Sequence, residues 1–357
     1  MNKVSFPGLG IDLNINPIAI NNLFGFEGFD IPWYAIILTT GVLLAYWLFY
    51  YYAVKKEKLP SDNVYDITLI VIPIAMIGAR FVYVATNWEY YKTVSFLDKI
   101  NIRNGGIAIY GAIIFGLITV LVFNLIKKTN PFPMLDALAP AVMLGQVIGR
   151  WGNFTNTEAY GWSRGIEKLP WRMWIERVEI DGRYEPGLHL VHPTFLYESL
   201  WNAIGLCLIV FLLYRKKKFN GEIFFAYIGW YGLGRAFIEM LRTDSLYLVG
   251  NLKFSVFVGF TCVFAAIIGL IILYRRHLDE SRELAGYKSQ FEAVRISLSN
   301  EENALDQSVF ETEIEETEES SEEELDEDGD FDEETLKEQD LLDGDPCEED
   351  EIDEVQE

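Results

Sequence analysis

Residues 105–128 read GGIAIYGAIIFGLITVLVFNLIKK. Apart from Tyr110, Thr119 and Asn124 the run is apolar until two lysines close it. A helix crossing the hydrocarbon of a bilayer needs roughly 20 such residues, and in lipid the helix satisfies its own backbone. The stretch therefore reads as a membrane span ending at a water-facing turn. Six further apolar runs follow the same logic, at 33–54, 64–86, 134–149, 195–214, 221–241 and 251–274; 134–149 is the shortest. The expected fold is an all-α polytopic membrane protein of about seven transmembrane helices.

Positive charge sets the orientation. The clusters KKEK (55–58), KK (127–128), RKKK (215–218) and RRH (275–277) follow spans one, three, five and seven. Cytoplasmic loops carry the excess of Lys and Arg, so the N-terminus is expected outside and the C-terminus inside. Of the outer connections, 150–194 is the longest; with Trp162, Trp171 and Trp174 it reads as a small extracytoplasmic head at the membrane surface. Residues 1–32 read as an interfacial arm and 33–278 as the membrane domain.

The formal charge of −24 hides two materials. Residues 279–357 hold 34 Asp/Glu and 4 Lys/Arg, net −30, and the remainder is net +6. So acidic and aromatic-poor a segment cannot bury enough apolar surface to offset ordering entropy, and it reads as a disordered acidic tail. Three cysteines and three histidines, with no CxxC or HxxxH spacing, give no reason to expect a metal or a disulfide framework. The N-terminus lacks the basic–apolar–small pattern of a cleavable signal peptide. No cofactor is expected, and nucleic acid is not an expected partner.

Ionisable residues within apolar spans are costly and mark sites or pathways. Arg80 lies in IGARFVYVA, either snorkelling to the interface or acting as a ligand. Span five opens with His192, a cap or a site residue, and carries Tyr197 and Glu198. Span six places Tyr231, Arg235 and Glu239 four residues apart, on one helix face. Arg235 and Glu239 either neutralise each other or serve a site. Asp66 and Asp136 read as solvated or capping groups, and Arg242 as a surface charge near the outer headgroups. With directions assigned, Arg80, Arg150, Glu158, Arg235 and Glu239 gather toward the outer half of the bilayer. Guanidinium forks match phosphate oxygens, and the phosphate native to that depth belongs to a lipid headgroup.

GRWGNFTNTEAYG (149–161) resembles the GRxGNFxNxExxG signature of the prolipoprotein diacylglyceryl transferases. The likeness extends through Trp33 and Tyr34, GAR (78–80), GGIAIYGA (105–112), HPTFLYE (192–198) and YGLGRAFIE (231–239), in order over nearly all of 30–275. It implies transfer of the diacylglyceryl group of phosphatidylglycerol to the lipobox cysteine of a prolipoprotein signal peptide, with a thioether formed and glycerol phosphate released. It also implies the cytoplasmic membrane of a bacterium, with the site toward the outer leaflet.

Carried over residue by residue, the resemblance makes Arg150 and Arg235 the phosphate ligands, with Glu158 and Glu239 holding them. Asn153 and Asn156 position the substrate, while Gly152 and Gly161 allow close approach. Tyr34, Arg80, His192 and Tyr231 complete the expected site. Tyr110 stands where part of the family has a histidine; tyrosine, with a pKa of about 10, is a poorer base at neutral pH, so the general base stays open. The competing reading is a seven-span transporter or channel using the Arg/Glu cluster as a relay.

Overall fold

The computed structural model describes residues 2–102, 105–161, 165–180, 183–242, 247–249 and 252–323. Trp162 and the acidic stretch 324–357 lie outside them. The chain divides into two compact units, Met1–Arg282 and Glu283–Glu357.

The first unit begins with strands β1 (Asn2–Phe6), β2 (Ile11–Ile15), β3 (Ile18–Ile20) and β4 (Ile31–Pro32). Helix α1 (Trp33–Tyr51) closes in a π-helical turn, Tyr52–Lys56. After it come α2 (Ser61–Thr86), the short α3 (Trp88–Tyr91) and α4 (Phe96–Ile100), α5 (Ile109–Lys127) and α6 (Phe132–Asn156). Strands β5 (Met173–Ile180) and β6 (Arg183–Val191) lead into α7 (Thr194–Leu208), a π-helical turn and α8 (Tyr214–Lys216). Helix α9 (Glu222–Leu241), strands β7 (Tyr247–Val249) and β8 (Leu252–Lys253), and α10 (Phe254–Glu323) complete the order.

Six helical segments are long and apolar enough to cross a membrane: Trp33–Lys56, Ser61–Thr86, Ile109–Lys127, Phe132–Asn156, Thr194–Lys216 and one within Phe254–Asn303. The seventh expected span is α9, a helix of 20 residues that Arg235 and Glu239 make less apolar than the rest. The fold is thus mostly helical and polytopic. The most buried span is α6, which packs against α1, α7 and α9, while α2 pairs with α5.

Two contacts explain the helix registers. Gly205 and Gly234 leave room for Trp230 and Trp201, whose rings a Cβ at either glycine would meet at 2.3 and 2.2 Å. The indoles stack at 4.4 Å, and each Nε1 donates to the other residue's carbonyl at 2.9 Å, clasping α7 to α9. At the other end of α9, Asp136 of α6 is fully buried and accepts the backbone N–H of Gly221 (2.7 Å) and Phe224 (2.8 Å). It caps α9 and pairs with Lys217 at 2.8 Å, which also pairs with Glu57 at 2.5 Å. Asp136 is therefore a cap, for a helix other than its own.

The structure corrects three expectations. First, the N-terminal segment is no mere arm. Strand β1 enters a four-stranded antiparallel sheet of order β2-β1-β5-β6, with Val4 opposite Ile175. Val4 and Phe6 are buried with Tyr160, Met173, Ile175, Val191 and Phe195, each contributing roughly 1.5–3 kcal/mol. Period-two alternation over five residues is too weak a signal to read beside the apolar runs.

Second, α6 continues through 150–156, so the GRWGNF stretch forms its last two turns rather than the start of a loop. Third, α10 continues to Glu323, past the boundary expected at 279. No proline and a single glycine, Gly286, occur between 279 and 323, so no residue there breaks a helix outright.

Candidate functional site

A buried carboxylate joins the site. Trp151 Nε1 donates to Ser199 Oγ (3.2 Å), and that hydroxyl donates to the Val147 carbonyl (2.9 Å), fixing α6 against α7. The lock brings Arg150 Nη2 to within 2.5 Å of Glu198 Oε2. Arg235 Nη1 approaches the same carboxylate at 3.2 Å from α9, and Arg242 Nη1 reaches its other oxygen at 3.3 Å. Glu198, Glu239 and Arg242 are buried.

Glu239 holds the far side. Its Oε2 lies 2.8 Å from Arg235 Nη2 and 3.7 Å from Arg242 Nε, yet it accepts no aligned hydrogen bond among the described residues. Lys253 donates to the carbonyls of Glu239 (2.8 Å) and Arg242 (2.6 Å), closing the C-terminal end of α9. Three guanidiniums thus share two buried carboxylates. Burying ions is costly, and three guanidinium forks gathered at one point suit an anion.

The last turn of α6 supplies a second arc. Thr157 adopts φ 54° and ends the helix, turning Glu158 back toward it. Asn153 Nδ2 donates to Glu158 Oε1 at 2.8 Å, and Arg150 Nη1 approaches Asn153 Oδ1 at 3.5 Å. Tyr34 of α1 lies beneath this turn: a Cβ on Gly152 would meet its ring at 2.8 Å. Asn156 is the final residue of α6.

Gly161 is clamped. Its backbone exchanges hydrogen bonds with His192 at 3.0 and 3.2 Å and bridges Arg242, and a Cβ would meet the Leu241 carbonyl at 2.8 Å. His192 is buried, with Nδ1 3.1 Å from the Tyr197 hydroxyl. Tyr231 interacts electrostatically with Arg235, Arg150, Glu198 and Tyr110. Tyr110 shares a 2.8 Å hydrogen bond with buried Ser255 at the start of α10.

The structure therefore brings Arg150, Asn153, Glu158, Arg235, Glu239 and Tyr231 together, with Tyr34, Gly152, Gly161 and His192 around them. Arg80 stands apart. All its donor nitrogens are spent on carbonyls, of Lys99 (2.7 Å) and of Asp98, Gly105 and Gly106 (2.8 Å each), beside the rings of Tyr83 and Tyr91. It neither snorkels nor pairs with the cluster; it folds the loop ahead of α5.

Sequence reasoning noted Glu198 but left it out of the expected site, and it misjudged Arg242. The signal for Glu198 was present, an acid inside an apolar span. Arg242 reads as a headgroup charge because it follows the end of α9, yet it folds back beside Glu239, three positions earlier. Among the described residues no group of acidic, histidine or cysteine side chains is placed to hold a metal.

A family model described as prolipoprotein diacylglyceryl transferase matches residues 21–272. The chain is 44% identical over 271 residues to a Lysinibacillus sphaericus protein named phosphatidylglycerol–prolipoprotein diacylglyceryl transferase, covering 74% of this chain and 93% of that one. It is 43% identical over 268 residues to a protein of the same name from Streptococcus equi subsp. zooepidemicus, covering 74% and 96%. A Streptococcus uberis protein of that name is 43% identical over 265 residues.

Proposed function

The chain belongs to the prolipoprotein diacylglyceryl transferase family, and from that premise we propose how its own residues perform the transfer. It is a membrane transferase that moves the diacylglyceryl group of phosphatidylglycerol to a prolipoprotein. The convergence of Arg150, Arg235 and Arg242 on Glu198 carries the proposal.

The arginines receive the phosphodiester of the lipid. Its oxygens take guanidinium donors that Glu198 leaves open, so the two anions share the three forks and neither charge is left bare in a dry site. Glu239 Oε2 accepts from a hydroxyl of the headgroup glycerol, and the amides of Asn153 and Asn156 fix the headgroup beside Glu158. The lipobox thiol attacks the glycerol carbon that bears the phosphate. The sulfur–carbon bond forms as the carbon–oxygen bond breaks, and the electron pair leaves with the phosphate oxygen. The arginines stabilise that growing charge. The thiol proton ends on the departing phosphate, so glycerol phosphate leaves as the monoanion and charge is conserved. Tyr110 and Tyr231 line the thiol side.

The site faces the outer leaflet of a bacterial cytoplasmic membrane. Supporting this, the basic clusters at 55–58, 127–128, 215–218 and 275–277 follow alternate spans, at the ends opposite the cluster. The test is transfer of labelled diacylglycerol from phosphatidylglycerol to a lipobox peptide by wild type and Arg235→Ala in detergent. Label on the peptide thiol with wild type alone supports the assignment. Undiminished transfer by Arg235→Ala removes Arg235 from the phosphate site.

A further inference from the structure

The part of α10 between 283 and 303 is helical and exposed throughout, yet it is not uniformly polar. Leu284, Tyr287, Phe291, Val294 and Leu298 recur at intervals of three, four, three and four residues, and each is 56–75% exposed. That interval is the a/d repeat of a left-handed coiled coil. It lines one face with five of the segment's six large exposed apolar groups, Ile296 being the sixth, more than a lone water-exposed helix keeps. We propose that this face is a self-association seam whose occupant is the same segment of a second copy.

Three observations favour a second copy. Two copies in one membrane share a topology, so their α10 helices emerge in the same direction and meet in parallel. In a parallel pair the g position of one helix faces the following e position of the other; here Glu283 faces Lys288, opposite in charge. The seam also has the needed extent: five such side chains from each copy remove on the order of 1,000 Å² from water, near the lower bound of specific interfaces. Confinement to a membrane raises the effective concentration and compensates for that modest area.

A lipid surface is a poorer occupant. Helices that lie on anionic membranes are basic on their polar face, whereas 279–303 holds six acidic residues and three basic ones. The seam is independent of the catalytic reading, since it uses no residue of the arginine cluster.

The experiment is oxidative crosslinking of the full-length protein in phosphatidylglycerol-containing liposomes, with Cys207, Cys262 and Cys347 first changed to Ser. Phe291→Cys and Leu298→Cys lie on the seam; Ser289→Cys and Ile296→Cys lie on the opposite face, at the f positions. Retained transferase activity reports that each variant is folded. Disulfide-linked dimer at 291 and 298, little at 289 and 296, and its loss from Leu298→Cys when Tyr287→Glu and Val294→Glu are added, is the expected result. Equal crosslinking on both faces, or none on the seam, overturns the proposal. If a thiol at 291 is instead shielded from a water-soluble reagent without forming dimer, the face lies on lipid and the proposal falls.

Discussion

Replacing Glu198 by glutamine removes the carboxylate that, among the described residues, touches all three arginines. The variant leaves Arg235 and Arg242 beside Glu239 and takes from Arg150 its carboxylate partner, with an amide whose N–H₂ meets guanidinium donors. Breaking a buried ion pair by removing one partner costs about 3–5 kcal/mol. Because Arg150 and Arg235 keep 20% and 17% of their side chains exposed, the lower figure applies, about 3 kcal/mol. At about 2.1 cal/mol/K of unfolding entropy per residue, that lowers the melting temperature of a chain of this size by roughly 4–5 °C.

Substrate should repair part of the loss, because a bound phosphate supplies the anion that glutamine lacks. Titrating phosphatidylglycerol into detergent-solubilised protein should therefore raise the melting temperature more in Glu198→Gln than in wild type, as binding linkage requires. Turnover should fall about a hundredfold even at saturating lipid, since arginines no longer held to sub-ångström tolerance misplace the leaving group. A variant that melts like wild type, or that gains no more from lipid than wild type does, would falsify the account of Glu198 as the anion the three arginines share.

Two further outcomes follow from the packing. Gly161→Ala drives a Cβ against the Leu241 carbonyl and His192; it should abolish transfer while circular dichroism stays helical, and wild-type activity would show that the clamp at Gly161 is dispensable. Arg80→Lys keeps the charge but loses the fork that binds four carbonyls. Limited proteolysis should accelerate within 92–107 while the KM for phosphatidylglycerol holds steady, and a raised KM with an intact loop would return Arg80 to the substrate.

The helices were legible because their signal is composition over 20 residues, which needs no knowledge of neighbours. Arg235 and Glu239 stood out for a related reason: charge inside an apolar run is anomalous on its face. Arg150 and Glu158 lay past the expected end of a span and stood out only through the GRxGNFxNxExxG signature. Glu198 was equally anomalous but gave no hint of how many partners it serves, since its three arginines lie 37 to 48 positions away, on other helices or just past the end of one. Arg80 and Arg150 look alike in sequence. Only the loop that folds over the one and the carboxylate that meets the other separate them. The sheet was hidden because β1 and β5 are joined across some 170 residues, and five-residue strands announce no partner.

The clasp and the caps around α9 bear on how the protein is made. An arginine and a glutamate inside an apolar span are costly to insert, so α9 is a poor candidate for entering lipid alone. Its compensations sit upstream: Asp136 on α6 for its first turn, Trp201 for its glycine notch, Glu198 on α7 for its arginine. All three leave the ribosome before α9 does. Synthesis order thus delivers the counter-charges first, and the helix that carries the phosphate site is admitted to the bilayer by partners already waiting there.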